Sequence, residues 1–408
     1  MKPTHIRAAR VAVFAIGALA GLVLTAGCQT GPRIEGPVRA IWVTRFDYKT
    51  ADDVCRIMQN CQEAGFNTVV FQVRGNGTAF YRSQLEPWAE QFDFKDPGFD
   101  PLEVAVAQAH ERGLELHAWM NVMPAWRGTK PPSDPRQLYN AKPEWFWYDQ
   151  HGNRQALSTF YVSLNPCLPE VRQYLVDVFR EVVGGYDVDG LHLDYIRFPS
   201  EPPATPPGSG LDYPRDARTL ALYKEQTGLT PDENIEAWNQ WRTDAVTQLV
   251  ADIRDMMRRT KPRAVLAVAG GSNRKESLRF FRDDQTWVER GLIDAIYPMN
   301  YQSNLEKFKE GLTMWVPAPT GVAVVPGMWF ASRLGPEEGP EVARQQVEYA
   351  LHTTGNVCVF SYSSLFDSTD RELTPVAQNN EQAARQRQLR EKRRQAIIPL
   401  LKGAAGQV

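Results

Sequence analysis

From residue 39 onward, short, almost unbroken apolar runs alternate with longer stretches in which apolar residues recur every three to four positions. The runs are Arg39 to Thr44, Thr68 to Val73, Leu114 to Met120, Gly190 to Tyr195, Val265 to Ala269, Asp294 to Met299, Val322 to Val325 and Val357 to Ser361. Runs apolar nearly throughout read as strands covered on both faces, and helical periodicity follows each of the first seven. Alternation of this kind predicts a parallel sheet with helical crossovers, and eight repeats predict a closed (β/α)8 TIM barrel, an α/β fold. No glycine-rich phosphate loop follows the first run, which argues against a doubly wound open sheet.

The helical segments include Ala51 to Ala64, Pro101 to Arg112, Pro169 to Val183, Arg215 to Thr227, Glu233 to Arg259, Leu278 to Glu289, Leu305 to Trp315 and Glu337 to His352. Gly65, Gly113 and Gly184 stand where C-caps are expected. Three connections, Arg74 to Asp100, Asn121 to Leu168 and Pro199 to Arg215, exceed a simple turn. Each follows a strand, so all three are expected as cleft walls at the C-terminal face of the barrel.

The N-terminus adds a second kind of pattern. Lys2, Arg7 and Arg10 precede an apolar run from Val11 to Leu24, which ends in Leu24-Thr25-Ala26-Gly27-Cys28. Such a run fits secretion rather than a membrane span, which needs about 20 apolar residues. Small residues directly before a cysteine predict a lipoprotein signal peptide over residues 1–27 and a lipidated Cys28, with palmitate among its acyl chains, on a tether over residues 28–37. Gln29 in place of aspartate points to the outer membrane, facing the periplasm, or to the cell surface. The barrel is expected over residues 38–377, and a charged, solvated helix or tail over 378–408, with Arg390 to Arg394 as a basic run.

Composition excludes more than it assigns. A formal net charge of −2 with interspersed signs gives no electrostatic case for nucleic acid. Cys55, Cys61, Cys167 and Cys358 are too few and scattered for a disulfide framework, and are read as small buried side chains with no metal bound and no cofactor implied.

In a barrel strand, residues two apart line the same wall. Gln72 and Arg74, then His117, Trp119 and Asn121, then His192 and Asp194 put polar groups at period two near three consecutive strand ends. Unpaired buried polar groups cost about 1–3 kcal/mol, so this pattern marks a functional mouth. Structural ion pairing is the competing explanation. Tyr81, Trp88, Trp126, Tyr139, Trp145, Trp147, Tyr148, Phe160 and Tyr161 crowd the loops nearby. A sugar ring offers C–H groups to an aromatic face and hydroxyls to polar neighbours, so the set suggests a sugar cleft, although each ring alone fits loop core better.

Several motifs together resemble a glycosyl-hydrolase-10-like lipoprotein family that includes a divisome-localised peptidoglycan glycosidase. They are Phe71-Gln72-Val73-Arg74 with Gly77, Ala79-Phe80-Tyr81 and Glu86-Pro87-Trp88; Asp96 through Leu102; Arg112 through Asn121; Leu164-Asn165-Pro166 with Pro169 through Arg172; Tyr186 through Tyr195; and Tyr297 through Tyr301. The match runs across residues 38–366, and it departs at Thr78, where the family often has aspartate. The resemblance implies a glycoside hydrolase acting on peptidoglycan strands or a related polysaccharide, with division or wall-remodelling proteins as partners. A non-catalytic glycan-binding lipoprotein tethering membrane to wall is the alternative. A small-molecule enzyme with a phosphate site after the seventh strand is disfavoured, because Pro326-Gly327-Met328-Trp329 is aromatic rather than a glycine-rich cradle.

Glycoside hydrolysis ordinarily needs two carboxyl groups. Asp194 is the first catalytic candidate, in an arrangement similar to the catalytic strand of family 18 chitinases, with Ile196 where those enzymes place glutamate. If Arg74, His117 and Arg197 gather around it, Asp194 is expected to stay ionised and act as nucleophile or cation stabiliser. The acid then comes from Asp47, Glu86 or Glu201, of which Glu86 is preferred because it lies in a family motif. Arg45, Asp47, Gln72, Arg74, His117, Trp119, Asn121, His192, Tyr195, Arg197, Asn300 and Tyr301 are the expected substrate contacts, Asn300 and Tyr301 by analogy with chitinases.

Overall fold

The computed structural model describes residues 36–199, 210–330, 339–368 and 380–405. The expected signal peptide, Cys28 and Glu201 lie outside these residues. The described residues belong to one compact unit.

The barrel strands are β1 (Arg39–Val43), β2 (Thr68–Arg74), β3 (Glu115–Asn121), β4 (Gly190–Asp194), β5 (Val265–Gly270), β6 (Ala295–Pro298), β7 (Ala323–Val324 continued by Gly327–Trp329) and β8 (Val357–Phe360). All pair in parallel in that order, and β8 returns to β1 through Arg39 opposite Val357 and Trp42 opposite Phe360. Pro326 has no N–H and splits β7 into two segments. The first pairs with β6 and the second with β8, and a bridge from Met299 to Gly327 with the bond from Val325 N to Ile296 O (2.9 Å) carries the closure across the split. The (β/α)8 barrel expected from the alternating runs is therefore the observed fold.

Two apolar layers hold it. Inside the barrel, Ala40, Trp42, Val70, Trp119, Val265, Ala267, Ala295, Tyr297, Val325 and Cys358 interlock. The opposite faces of the same strands pack against the helices in a much larger cluster that includes Ile41, Val69, Phe71, Leu191 and Ile296. Burial on both faces explains why the strands read as continuous apolar runs. Gly327 lets the inner layer close, since a Cβ there would lie 2.6 Å from the Trp42 ring.

Four features depart from the sequence reading. The long connection after β3 contains an antiparallel hairpin, Pro124–Gly128 with Ser158–Ser163, whose arms are too far apart in sequence to signal a turn. The expected helix over Leu278 to Glu289 is broken: Arg274–Leu278 and Asp284–Glu289 flank Phe281, which adopts a left-handed φ of 54°. Gly184 lies inside the helix Pro169–Gly185 rather than capping it, whereas Gly65 and Gly113 have the positive φ of C-caps. The C-terminal helix Asn380–Ala405 is docked rather than solvated, burying Leu389, Arg393, Ile397 and Leu401 at a four-residue period. Its apolar stripe is interrupted by Arg393, which donates to Ser364 O (3.1 Å), so the docking face reads as charged.

Cys61, Cys167 and Cys358 are buried, Cys55 is half-buried, and all four are free thiols. Among the described residues no helix is long and apolar enough to cross a membrane, and no group of three or more His, Cys, Asp or Glu is placed to hold a metal.

Candidate active site at the C-terminal mouth of the barrel

β3 and β4 place the central groups. Asn121 stands opposite Asp194 in the register, and Trp119 stands opposite His192. The Trp119 indole donates to Asn121 Oδ1 (3.1 Å), and Asn121 Nδ2 donates to Gly75 O (3.0 Å), fixing both side chains at the rim. One layer below, His192 is fully buried and its Nε2 accepts from the Trp42 indole (3.1 Å). Burial and the neighbouring His117 push the His192 pKa down, so it is a neutral member of the barrel interior.

Asp194 ends β4 with 7 % of its surface exposed, and its Oδ1 accepts from Tyr195 N (2.6 Å). Burial raises its pKa above the ordinary carboxylate value. The Tyr195 N–H, the guanidinium groups of Arg197 and Arg282 and the Trp119 indole oppose that rise without cancelling it. This reverses the expectation of a carboxylate kept ionised by surrounding arginines. Desolvation outweighs the charges here, and Arg74 and His117 do not belong to the group around it. A carboxyl with a raised pKa suits proton donation better than nucleophilic attack.

Arg74 points away from the mouth because a bulge between Gln72 and Arg74 shifts the register of β2. Its guanidinium pairs with Glu86 and also donates to Val122 O (3.0 Å), and Tyr174 of the outer helix Pro169–Gly185 donates to Glu86 (3.2 Å). Both side chains of the pair are 0 % exposed. Glu86 is therefore a buried structural partner and not the catalytic acid, and Arg74 is not a substrate contact. His117 lies deep in the barrel against Gly190, at the start of β4, too low to reach a glycan.

Asp47 and Asn300 also turn outward. Asp47 is fully buried, accepts from Thr44 N (2.7 Å) and Thr44 Oγ1 (2.8 Å), and has its pKa pushed up to about 6 by burial. Asn300 Nδ2 donates to Phe308 O (2.6 Å), and a Cβ at Gly311 would run into the Asn300 side chain. It ties β6 to the next helix instead of meeting substrate.

The remaining expected contacts do gather. Gln72 Oε1 accepts from Arg45 N (3.1 Å), and Arg45 Nη2 donates to Tyr161 of the hairpin (3.2 Å). Tyr161 packs on Tyr195 (5.2 Å between ring centres), and Arg197 lies over the Tyr195 ring (4.9 Å). Tyr195 has a left-handed φ of 50°, a strained state for an aromatic residue. Tyr301 stands within the electrostatic reach of Asp194 and packs on Trp329 and Phe360 (both 5.6 Å).

Several participants were missed in the sequence. Trp329 and Phe360 join Trp119 and Tyr301 in an aromatic floor built from β3, β7, β8 and the segment after β6. Phe360 sits two residues after the inward-facing Cys358, so the period of two could have found it. Arg282, from the strained turn after β5, reaches Asp194 electrostatically, and no local pattern signals it. Of the loop aromatics, Tyr81 and Trp147 are fully buried and Trp126 nearly so, while Phe160 and Tyr161 reach the mouth.

Known proteins share both fold and sequence. Two solved structures superpose with a TM-score of 0.58: an alpha-L-fucosidase isoenzyme 2 from Paenibacillus thiaminolyticus, at 14 % identity over 88 % of this chain and 49 % of that one, and the glycoside hydrolase domain of PgaB from Bordetella bronchiseptica, at 13 % over 79 % and 94 %. At such identities the likeness concerns the fold alone. In sequence, the chain is 27 % identical over 315 residues to the glycosyl hydrolase YngK of Bacillus subtilis, covering 69 % of this chain and 57 % of that protein. It is 29 % identical over 304 residues to the glycosyl hydrolase DigH of Escherichia coli K12, covering 65 % of each. The chain thus spans less than two thirds of the length of these relatives. The glycosyl hydrolase-like 10 model matches residues 37–316, from the start of the barrel to beyond β6 and the Tyr301 rim, and the chain belongs to that family.

Proposed function

We propose that this protein is a glycoside hydrolase that cleaves bacterial cell-wall glycan, with Asp194 as the proton donor to the leaving oxygen. The observation that carries the reading is a carboxyl at the C-terminal end of β4, its pKa raised by burial, beside an aromatic floor and two arginines. Hydrolysis needs a group that can donate a proton at the glycosidic oxygen, and burial shifts Asp194 in that direction. Trp329, Phe360, Tyr301 and Tyr161 offer faces for sugar C–H groups, while Asn121, Arg45 and Arg197 offer donors for hydroxyl oxygens.

Cell-wall glycan is the substrate favoured by the N-terminal lipobox, which would hold the enzyme through lipidated Cys28 on a membrane facing the wall, within reach of wall-remodelling or division proteins. The test is product analysis: the purified protein is incubated with intact peptidoglycan and with strands stripped of peptide, and the fragments are identified by mass spectrometry. New reducing ends support hydrolysis. Anhydro-sugar ends would identify a lytic transglycosylase instead, and tight pull-down without release would favour a glycan-binding lipoprotein. Cys28→Ser should move the protein out of the membrane fraction, and wild type lacking an N-terminal lipid would refute the anchor.

A further inference from the structure

We infer that Arg282, held in place by Asp284, forms an acid-binding subsite beside Asp194 that takes a carboxylate carried by the sugar substrate. The inference rests on the glycosidase reading and assigns the site a charge preference which that reading leaves open. Arg282 is 5 % exposed. Its Nε forms an ion pair with Asp284 Oδ1 at 3.1 Å and its Nη2 donates to Ser277 Oγ (3.2 Å), but neither its buried Nε nor its buried Nη1 has a hydrogen-bond partner among the described residues. A buried guanidinium nitrogen left unpaired is costly, and in Arg282, which acts on Asp194, it gives an incoming acceptor something to satisfy.

The surroundings are arranged to keep the arginine there. Asp284 accepts from Gly271 N (2.9 Å) and Ser277 Oγ (3.1 Å), so its carboxylate is anchored at the exit of β5. Arg282 lies directly across Gly271, where a Cβ would come within 2.8 Å of Nη2. Phe281, left-handed, turns the chain just before Arg282, and Phe280 O accepts from Phe198 N (3.0 Å), joining this turn to the segment that carries Asp194 and Arg197. Arg282 and Arg197 repel each other, and both act on Asp194. Two neighbouring cations, one of them buried with unpaired N–H groups, match a carboxylate better than a neutral hydroxyl, because a charge-assisted bond is roughly twice as strong as a neutral one.

The experiment compares two ligands with the same type of backbone. N-acetylglucosamine oligomers are neutral, whereas peptide-free peptidoglycan strands carry a carboxylate on every second sugar. Affinity of the full chain for each is measured by calorimetry, with melting temperatures as the folding control. Arg282→Gln should weaken binding of the acidic strands at least tenfold and of the neutral oligomers less than twofold, and Asp284→Asn should have the same selective effect. Wild-type protein offered strands whose carboxylates have been converted to amides should show the same loss, which tests the idea even if a variant fails to fold. Equal losses on both ligands, or undiminished binding of amidated strands, would overturn the acid subsite while leaving the glycosidase reading intact. Binding of neither ligand by wild type would overturn both.

Discussion

Glu86 and Arg74 form a doubly hydrogen-bonded pair with no exposed side-chain surface, at 2.9 and 3.0 Å from the arginine Nε and 2.6 Å from Nη2. The acid favoured by motif alone is thus committed to holding the loop after β2 against β3. Removing one member of a buried pair leaves the other uncompensated, at about 3–5 kcal/mol. Glu86→Ala should therefore lower stability to denaturant by that order, and any folded fraction should retain substantial turnover per molecule. A stable but inactive Glu86→Ala protein would restore Glu86 as a catalytic group.

Asp47 supplies a pH-dependent prediction about stability. Its folded pKa, about 6, lies above the ordinary value of 3.8 because the carboxyl is buried. The folded state then binds the proton more tightly than the unfolded chain, so this contribution to stability is full below about pH 4 and is lost as pH rises to about 6. The deficit at neutral pH is on the order of 3 kcal/mol. Asp47→Asn retains an oxygen for the Thr44 donors and removes the charge. Its stability gain over wild type, from denaturant melts at several pH values, should be near zero at pH 4 and level off above pH 6. A pH-independent difference would show that the group does not titrate in the fold.

Both carboxyls show which part of the molecule was legible beforehand. Strand positions were readable because double-sided burial writes each strand as an apolar run, and Asp194 stood out at the end of one of them. Side-chain direction was less readable. Arg74 shares the parity of Gln72, yet one bulge turns it from the mouth to the helix layer, and a bulge leaves no mark in a pattern of alternation. Asn300 and Asp47 follow strands as expected, but beyond a strand end the period of two no longer determines which way a residue points. Arg282 comes from a helix broken at Phe281, although the apolar periodicity of the sequence runs on through that residue. Long-range partners such as Tyr174 for Glu86 have no local signature.

The aromatic floor predicts a mutation that separates binding from folding. Trp329 is half-buried and meets Tyr301 (5.6 Å) and Phe360 (5.5 Å) at the rim. Trp329→Ala removes a face from the cleft while leaving the fully buried Trp42 below in place. Glycan affinity should fall about tenfold, equivalent to about 1.4 kcal/mol, with a melting temperature within a few degrees of wild type. Unchanged affinity would mean that the substrate path lies on the other side of the mouth, along Tyr161 and Tyr195.

The decisive variant is Asp194→Asn. If Asp194 donates a proton to the departing oxygen, the amide cannot replace it, and the loss should be at least about 3 kcal/mol of barrier, on the order of a hundredfold or more in kcat. Glycan affinity should change far less, since stacking and hydroxyl contacts remain, and stability should be equal or higher because a buried ionisable group has been neutralised. The same role fixes the sign of a pH profile. Activity should decline on the alkaline side as Asp194 deprotonates, at a pH above the ordinary carboxylate range, because burial raises its pKa. Arg282 favours the ionised form, so Arg282→Gln should move that alkaline limb to higher pH, read on whatever glycan the variant still cleaves. Asp194→Asn retaining more than about a tenth of wild-type activity on a confirmed substrate would move the catalytic centre away from β4.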